Sequence, residues 1–241
     1  MNLLDRLVTD GVNLGLGQNN AEDSHSDGRH VRIRGQDLLN FASCSYLGLE
    51  LDPRLKEGAI DAVRAHGIET SSSRVYLSSP LYLEFENLIE QIFQANVVVA
   101  PTTTLGHFSA LPVLVDHEDA IVMDHQVHTS VQMACQLVRS SGAHLEVLPH
   151  NDLERLEERV EELSTRHRQV WYMADGVYSM FGDLAPTAAI HAMLDRHSQM
   201  RFYVDDAHGM SWAGPRGVGT VLSEIALHPR MVLATGLAKG F

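Results

Sequence analysis

Apolar residues recur along this chain in two rhythms. In "LYLEFENLIEQIF" (81–93), Tyr82, Phe85, Leu88, Ile89 and Ile92 fall at helical spacing, which predicts a helix with one apolar face. Elsewhere the apolar residues come in short continuous runs. "NVVVA" (96–100), "AIVMD" (120–124), "HLEVLPH" (144–150), "QVWYMAD" (169–175), "RFYVDD" (201–206) and "MVLATG" (231–236) read as buried strands. Helices are predicted between them: one from Ser130, the charged amphipathic "NDLERLEERVEELSTRH" (151–167), which opens on a capping residue, and "TAAIHAMLDRHS" (187–198). Short apolar strands alternating with helices predict an α/β fold, a three-layer αβα arrangement around a mostly parallel sheet. Right-handed crossovers put helices on both faces.

In such sheets, ligands bind beyond the carboxyl ends of the strands. Asp124, Asp175 and Asp205 end predicted strands, and Pro101–Thr104 follows another. Taken singly, each reads as a helix cap or a turn; taken together, they converge on one crevice. Ahead of this pattern, residues 1–30 read as a short helix followed by a mobile polar lead-in, "GQNNAEDSHSDGRH".

Composition narrows the field. The chain has 241 residues, 44% hydrophobic, enough for one large domain with a substantial core. A formal net charge of −13 without any Lys/Arg cluster argues against nucleic-acid binding. No apolar run reaches membrane-spanning length, and the acidic start "MNLLDRLVTDGVN" is unlike a signal peptide. With Cys44 and Cys135 read as reduced thiols, the expectation is a cytoplasmic protein. Of the 14 histidines, His125 and His128 are the closest candidate metal pair; their spacing suits one helical face, but no further ligand completes a zinc pattern, so no metal is expected.

The segment "RFYVDDAHGMSWAGPRGVGTV" (201–221) carries the chemistry. A strand that ends on Asp205 and Asp206 needs a positive partner, because buried charges are costly unpaired. Lys239, just beyond "MVLATG", is a candidate. A lysine in a cleft can form a Schiff base with an aldehyde, and a buried carboxylate can hold a heterocyclic nitrogen protonated. Pyridoxal 5′-phosphate (PLP) requires both groups.

At these residues the chain resembles the α-oxoamine synthases, fold-type I PLP enzymes that condense an amino acid with an acyl thioester, usually an acyl-CoA, with loss of carbon dioxide to give an α-aminoketone. "NFASCSYLGLELDPRLKEGAIDAV" (40–63), "DGVYSMFGDLAP" (175–186) and "VDDAHGMSWAGPRGVG" (204–219) carry the likeness; "DHQVHTS" and "GLAKGF" match more loosely. The resemblance implies a lead-in over 1–37 and a PLP-binding large domain over 38–241. It implies that Asp205 pairs with the pyridine nitrogen, that His208 and Ser179 bond the phenolic oxygen, and that His128 stacks on the ring. Asp175 falls near the bound substrate. Lys239 takes the cofactor aldehyde and later moves protons at the substrate α-carbon. The loop "PTTTLGH" (101–107), with Thr103, Thr104 and Leu105, holds the phosphate at a helix start, with Thr235 nearby. The expected assembly is a homodimer with shared active sites.

The chain departs from that family in several places. "GIETSSSRVY" (67–76) replaces a glycine-rich run, and a histidine often found near Tyr82 is absent. Thr103, Thr104 and Leu105 replace a Ser/Thr-Gly-aromatic loop, and Gly236 replaces a threonine three residues before the lysine. These changes leave the amino acid and the acyl donor open. Phe241 follows closely on the lysine, where the family continues into a small C-terminal domain that supplies an arginine for the substrate carboxylate; the expectation is an incomplete chain, inactive in isolation. Another fold-type I activity (aminotransferase or aldolase) and a non-catalytic partner subunit are the alternatives.

Overall fold

A computed structural model describes residues 3–68 and 72–240. The last residue of "GLAKGF", Phe241, and residues 69–71 of the departing segment lie outside that range. The chain divides into two compact units, residues 1–65 and 66–241.

In the first unit, helix α1 (Leu3–Asn13) precedes an antiparallel hairpin of β1 (His30–Ile33) and β2 (Gln36–Leu39). Helix α2 (Pro53–His66) follows, opened by a proline whose missing N–H is not needed at a first helical position. The hairpin and α2 carry no strong apolar run, which is why the hydrophobic pattern did not predict them.

The second unit contains the sheet. Helix α3 (Pro80–Phe93) ends at Gln94, whose left-handed backbone (φ 53°) returns its N–H to Glu90. Helix α4 (Thr103–Leu114) follows, capped by the Thr102 hydroxyl. Next come β3 (Ala120–Asp124), α5 (Thr129–Ser140), β4 (His144–Leu148), α6 (Leu153–Ser164) and β5 (Val170–Asp175). A small antiparallel hairpin, β6 (Val177–Tyr178) with β7 (Asp183–Leu184), leads to α7 (Thr187–Arg196), β8 (Met200–Asp205), the short α8 (Thr220–Glu224) and β9 (Met231–Ala234). The sheet has five strands in the order β4-β3-β5-β8-β9, every pair parallel.

Alternation along the strands builds two cores. Val122, Tyr172 and Phe202 pack with Leu156, Val160 and Leu163 of α6 and Ile190 of α7. Ile121, Met173 and Tyr203 point the other way and pack with Leu111 of α4 and Val131, Cys135 and Val138 of α5. The result is the expected αβα sandwich.

One predicted strand is absent. Residues 96–100 form no ladder; Val97 and Val99 donate their N–H groups to the side chains of Glu90 and Glu86 of α3 instead. Two carboxylates have taken the place of a neighbouring strand. A second expectation also fails: His125 and His128 both precede α5, so they do not share a helical face. The His125 ring lies edge-on to His150, whereas His128 Nδ1 bonds Ser130 Oγ.

Candidate active site

The parallel register sets Asp175 directly beside Asp205, and Asp205 beside Ala234, at the carboxyl ends of β5, β8 and β9. Both aspartates are nearly inaccessible, at 5% and 7% exposure, so neither is a solvated cap. They differ in what surrounds them. Burial, then the charges of Asp205 and Asp124, push the Asp175 carboxyl up to about 8, against the pull of the His128 N–H and Lys239. Burial also opposes ionisation of Asp205. There, however, the His107 bond, the Ala207 N–H and the Lys239 charge outweigh it, and the carboxyl is held below its ordinary range. Two adjacent acids thus separate into one that holds a proton and one that gives it up.

The partner of Asp205 comes from across the fold. Tyr203 and Asp205 project from the same face of β8, the face that α4 covers. His107, fully buried in α4, reaches both: its Nδ1 lies 2.7 Å from the Tyr203 hydroxyl and its Nε2 lies 3.0 Å from Asp205 Oδ2. Burial raises the Tyr203 phenol, so it keeps its proton and donates to Nδ1. That leaves the Nε2–H to donate to Asp205. Sequence reasoning passed over His107 within "PTTTLGH". The available signal was its place four residues before buried Leu111, where a polar group on a buried helix face must have a partner.

Asp206 points to the other face. Its Oδ1 accepts from the Thr220 hydroxyl at 2.6 Å and its Oδ2 from the Val221 N–H at 3.0 Å, tying β8 to α8. Gly209 and Gly219 press against this carboxylate so closely that a Cβ on either would lie 2.2 Å from an oxygen. Gly209 and Gly219 of "VDDAHGMSWAGPRGVG" are therefore packing requirements of Asp206.

Lys239 is half-buried in the turn that follows β9. The turn is fitted tightly: a Cβ at Gly236 would meet Thr103 Oγ1 at 2.5 Å, and one at Gly240 would meet Ser211. Gly236 is thus explained by Thr103, whose hydroxyl fills the space a side chain at 236 would need. Thr235 donates to the Asp206 carbonyl at 3.3 Å. Burial and the Lys239 and His128 charges lower the basicity of His208, with Asp205 opposing.

The remaining predicted residues lie around this centre. The His128 N–H donates to both Asp175 oxygens, at 3.1 and 3.0 Å, and its ring is exposed, oriented by Ser130. Thr103, Thr104 and Leu105 form the first turn of α4; Thr102 Oγ1 takes the Leu105 N–H at 3.1 Å, and the amides of Thr103 and Thr104 face out of the helix start. Ser179 is exposed in the turn between β6 and β7.

Residues 36–241 match the family described as Aminotransferase class I and II. The chain belongs to this family. Among curated relatives it is similar to the 8-amino-7-oxononanoate synthases of Symbiobacterium thermophilum (32% identical over 209 residues, 85% of this chain and 51% of the relative) and Alkaliphilus metalliredigens (29% over 239 residues, 97% and 57%). The chain spans about half the length of these relatives. Among solved structures it is similar to the serine palmitoyltransferase from S. paucimobilis with bound PLP-myriocin aldimine (TM-score 0.82, 23% identical, 98% of this chain and 62% of that one). It is also similar to Sphingomonas wittichii serine palmitoyltransferase (TM-score 0.79, 25% identical, 93% and 57%). The family likeness read from the motifs is therefore found in both comparisons. Among the described residues, no helix is long and apolar enough to cross a membrane.

Proposed function

We propose that this chain carries the PLP site of an α-oxoamine synthase, an acyltransferase that joins an amino acid to an acyl-CoA with loss of carbon dioxide. The observation that carries this reading is a buried carboxylate, Asp205, that accepts from His107 at the carboxyl end of β8, with Lys239 in the turn that follows the neighbouring strand β9. The donor set fits the cofactor: an anion for a ring nitrogen, an amine for an aldehyde, and a threonine-rich helix start for a phosphate.

When bound, PLP supplies an aldehyde that takes a primary amine and a protonated ring that accepts the electron pair of the substrate α-carbon. Asp205 would hold the ring proton, and His107 and Tyr203 keep Asp205 ionised and oriented. Lys239 would supply the amine for the aldehyde and would move the proton at the substrate α-carbon. The Thr103 and Thr104 hydroxyls and amides would hold the phosphate. His128, whose backbone Asp175 fixes, would shield the ring from water. His208 and Ser179 would bond the phenolic oxygen.

Within this reading, residues 38–241 form the cofactor domain and 1–37 the lead-in, and the enzyme is a cytoplasmic homodimer. Large exposed apolar side chains of the second unit support a subunit contact: Ile68, Tyr76 and Val98 are each 90% exposed. The test has two stages. Added PLP should give a visible absorption band, and borohydride followed by peptide mapping should label Lys239; labelling of another lysine refutes the site. Free CoA released only when amino acid and acyl-CoA are both supplied then separates a synthase from an aminotransferase.

A further inference from the structure

His150, in the loop after β4, stands between two carboxylates. Its Nδ1 lies 3.0 and 3.1 Å from the two oxygens of Asp124, at the end of β3, and its Nε2 lies 2.5 Å from Asp183 Oδ2, on β7. A neutral imidazole has one N–H and one lone pair, so it can satisfy only one of these acids; both nitrogens donate only when the ring is charged. Asp124 is itself fixed, fully buried and accepting the N–H groups of Gln126 and Asn151 at 2.8 Å each. Asp183 is not: its side chain is 42% exposed on a two-residue strand. The next residue of the loop adds a weaker tie, Asn151 Nδ2 to the Leu184 carbonyl at 3.2 Å. The hairpin held in this way springs directly from Asp175 and carries Ser179 in its turn.

We propose that His150 is a protonated clasp between Asp124 and Asp183 that holds the 177–184 hairpin, and Ser179 with it, against the sheet, and that releases the hairpin when the ring loses its proton. The groups facing the ring are the carboxylates of Asp124 on β3 and Asp183 on β7, the Asn151 amide, whose Nδ2 lies 3.2 Å from Nε2, the His125 ring at 6.1 Å, and the edge-on Tyr178 ring of β6 at 4.4 Å. Burial disfavours the charged ring, but the bonds to Asp183 and Asp124 outweigh it and raise its basicity. For a group raised in this way, the stabilisation is complete below the ordinary histidine value of about 6.5 and is lost as pH rises through the higher folded value. His150 is a positioning residue in this scheme, acting on the site only through the hairpin. The clasp is a property of the unliganded chain; only its use, presenting Ser179, rests on the function proposed above.

The experiment uses the 1–241 chain without cofactor. The His150 ring is followed by NMR across pH, assigned with His150→Gln, and amide exchange of 177–184 is followed with intrinsic pH effects removed. His150 should titrate above the ordinary histidine value. Hairpin exchange should quicken through that same pH, while β5 and β8 amides stay protected. Asp183→Asn should exchange roughly tenfold faster in the hairpin at low pH, as expected for loss of a charge-assisted bond. It also decides the matter if His150→Gln does not fold, since Asp183 is partly exposed. A ring that titrates at or below the ordinary value, or hairpin exchange that neither pH nor Asp183→Asn alters, overturns the clasp. Adding PLP afterwards separates the two readings: an intact clasp with no visible band overturns the function and leaves the clasp standing.

Discussion

His107 Nε2 lies 3.0 Å from Asp205 Oδ2, although 98 residues separate them in the chain. This contact changes what Asp205 can do. A buried carboxylate alone would tend to keep its proton; one that accepts from a buried imidazole stays an anion. Replacing His107 by Leu should raise the Asp205 carboxyl and weaken PLP binding roughly ten- to hundred-fold, the range expected for one charge-assisted bond of about 1.5–3 kcal/mol. Tyr203→Phe, which only orients the imidazole, should cost less. Both are read by titrating PLP absorbance; unchanged affinity in His107→Leu would remove His107 from the site.

The two adjacent carboxylates should fail differently. Asp205→Asn removes the charge proposed to face the ring nitrogen, and exchange of the substrate α-proton should fall by several orders of magnitude while the melting temperature holds. Asp206→Asn breaks the tie to Thr220 and Val221, and the melting temperature should drop, by roughly 4–8 °C per kcal/mol lost for a small domain and less for one of this size. Paired assays of α-proton exchange and melting on both variants check this; matching losses in both readouts would contradict the opposite orientations of the two side chains.

Asp175 sets a pH dependence. Its carboxyl rises from an ordinary 3.8 to about 8 in the folded chain, because ionisation there is opposed by burial and by Asp205. The folded state therefore holds a proton that the unfolded state releases, and this contribution to stability is lost as pH rises from about 4 to about 8. Asp206, raised to about 6 chiefly by burial, adds to the lower part of the same window. Urea unfolding of the cofactor-free chain at pH 5 and pH 8 should show the decline, and Asp175→Asn should flatten it. A variant with the same slope as the parent would mean that another group carries the dependence.

Gly236 and Thr103 form a size pair. Gly236→Ala places a methyl 2.5 Å from Thr103 Oγ1 and should disturb the turn that holds Lys239. Thr103→Ala opens the space at the expense of a hydroxyl proposed to hold the phosphate. A double-mutant cycle on stability should return a favourable coupling of roughly 1–2 kcal/mol, as for side chains in direct contact. Additive single effects would show that the contact is relieved elsewhere.

The sequence by itself determined the sheet strands that are buried on both faces, because continuous apolar runs such as "QVWYMAD" and "RFYVDD" leave little choice of structure. It also determined that Asp124, Asp175 and Asp205 end strands, since in a parallel sheet the polar residue after such a run must emerge at the carboxyl edge. The family followed from residues close together in the chain, within "DGVYSMFGDLAP" and "VDDAHGMSWAGPRGVG". The sequence misread "NVVVA": an apolar run says that a segment is partly sheltered, but whether it pairs depends on what satisfies its N–H groups, and Glu86 and Glu90 do so here. Only the tertiary structure decided the contacts between distant segments. Packing α4 over the Tyr203 face of β8 turned an unremarked histidine into the partner of Asp205, and bringing the β4 loop to β3 and β7 placed His150 between two acids. The position of Thr103 explained a glycine that looked like a loss. Such pairings depend on helix rotation and strand register, which apolar periodicity leaves unspecified until the layers are packed.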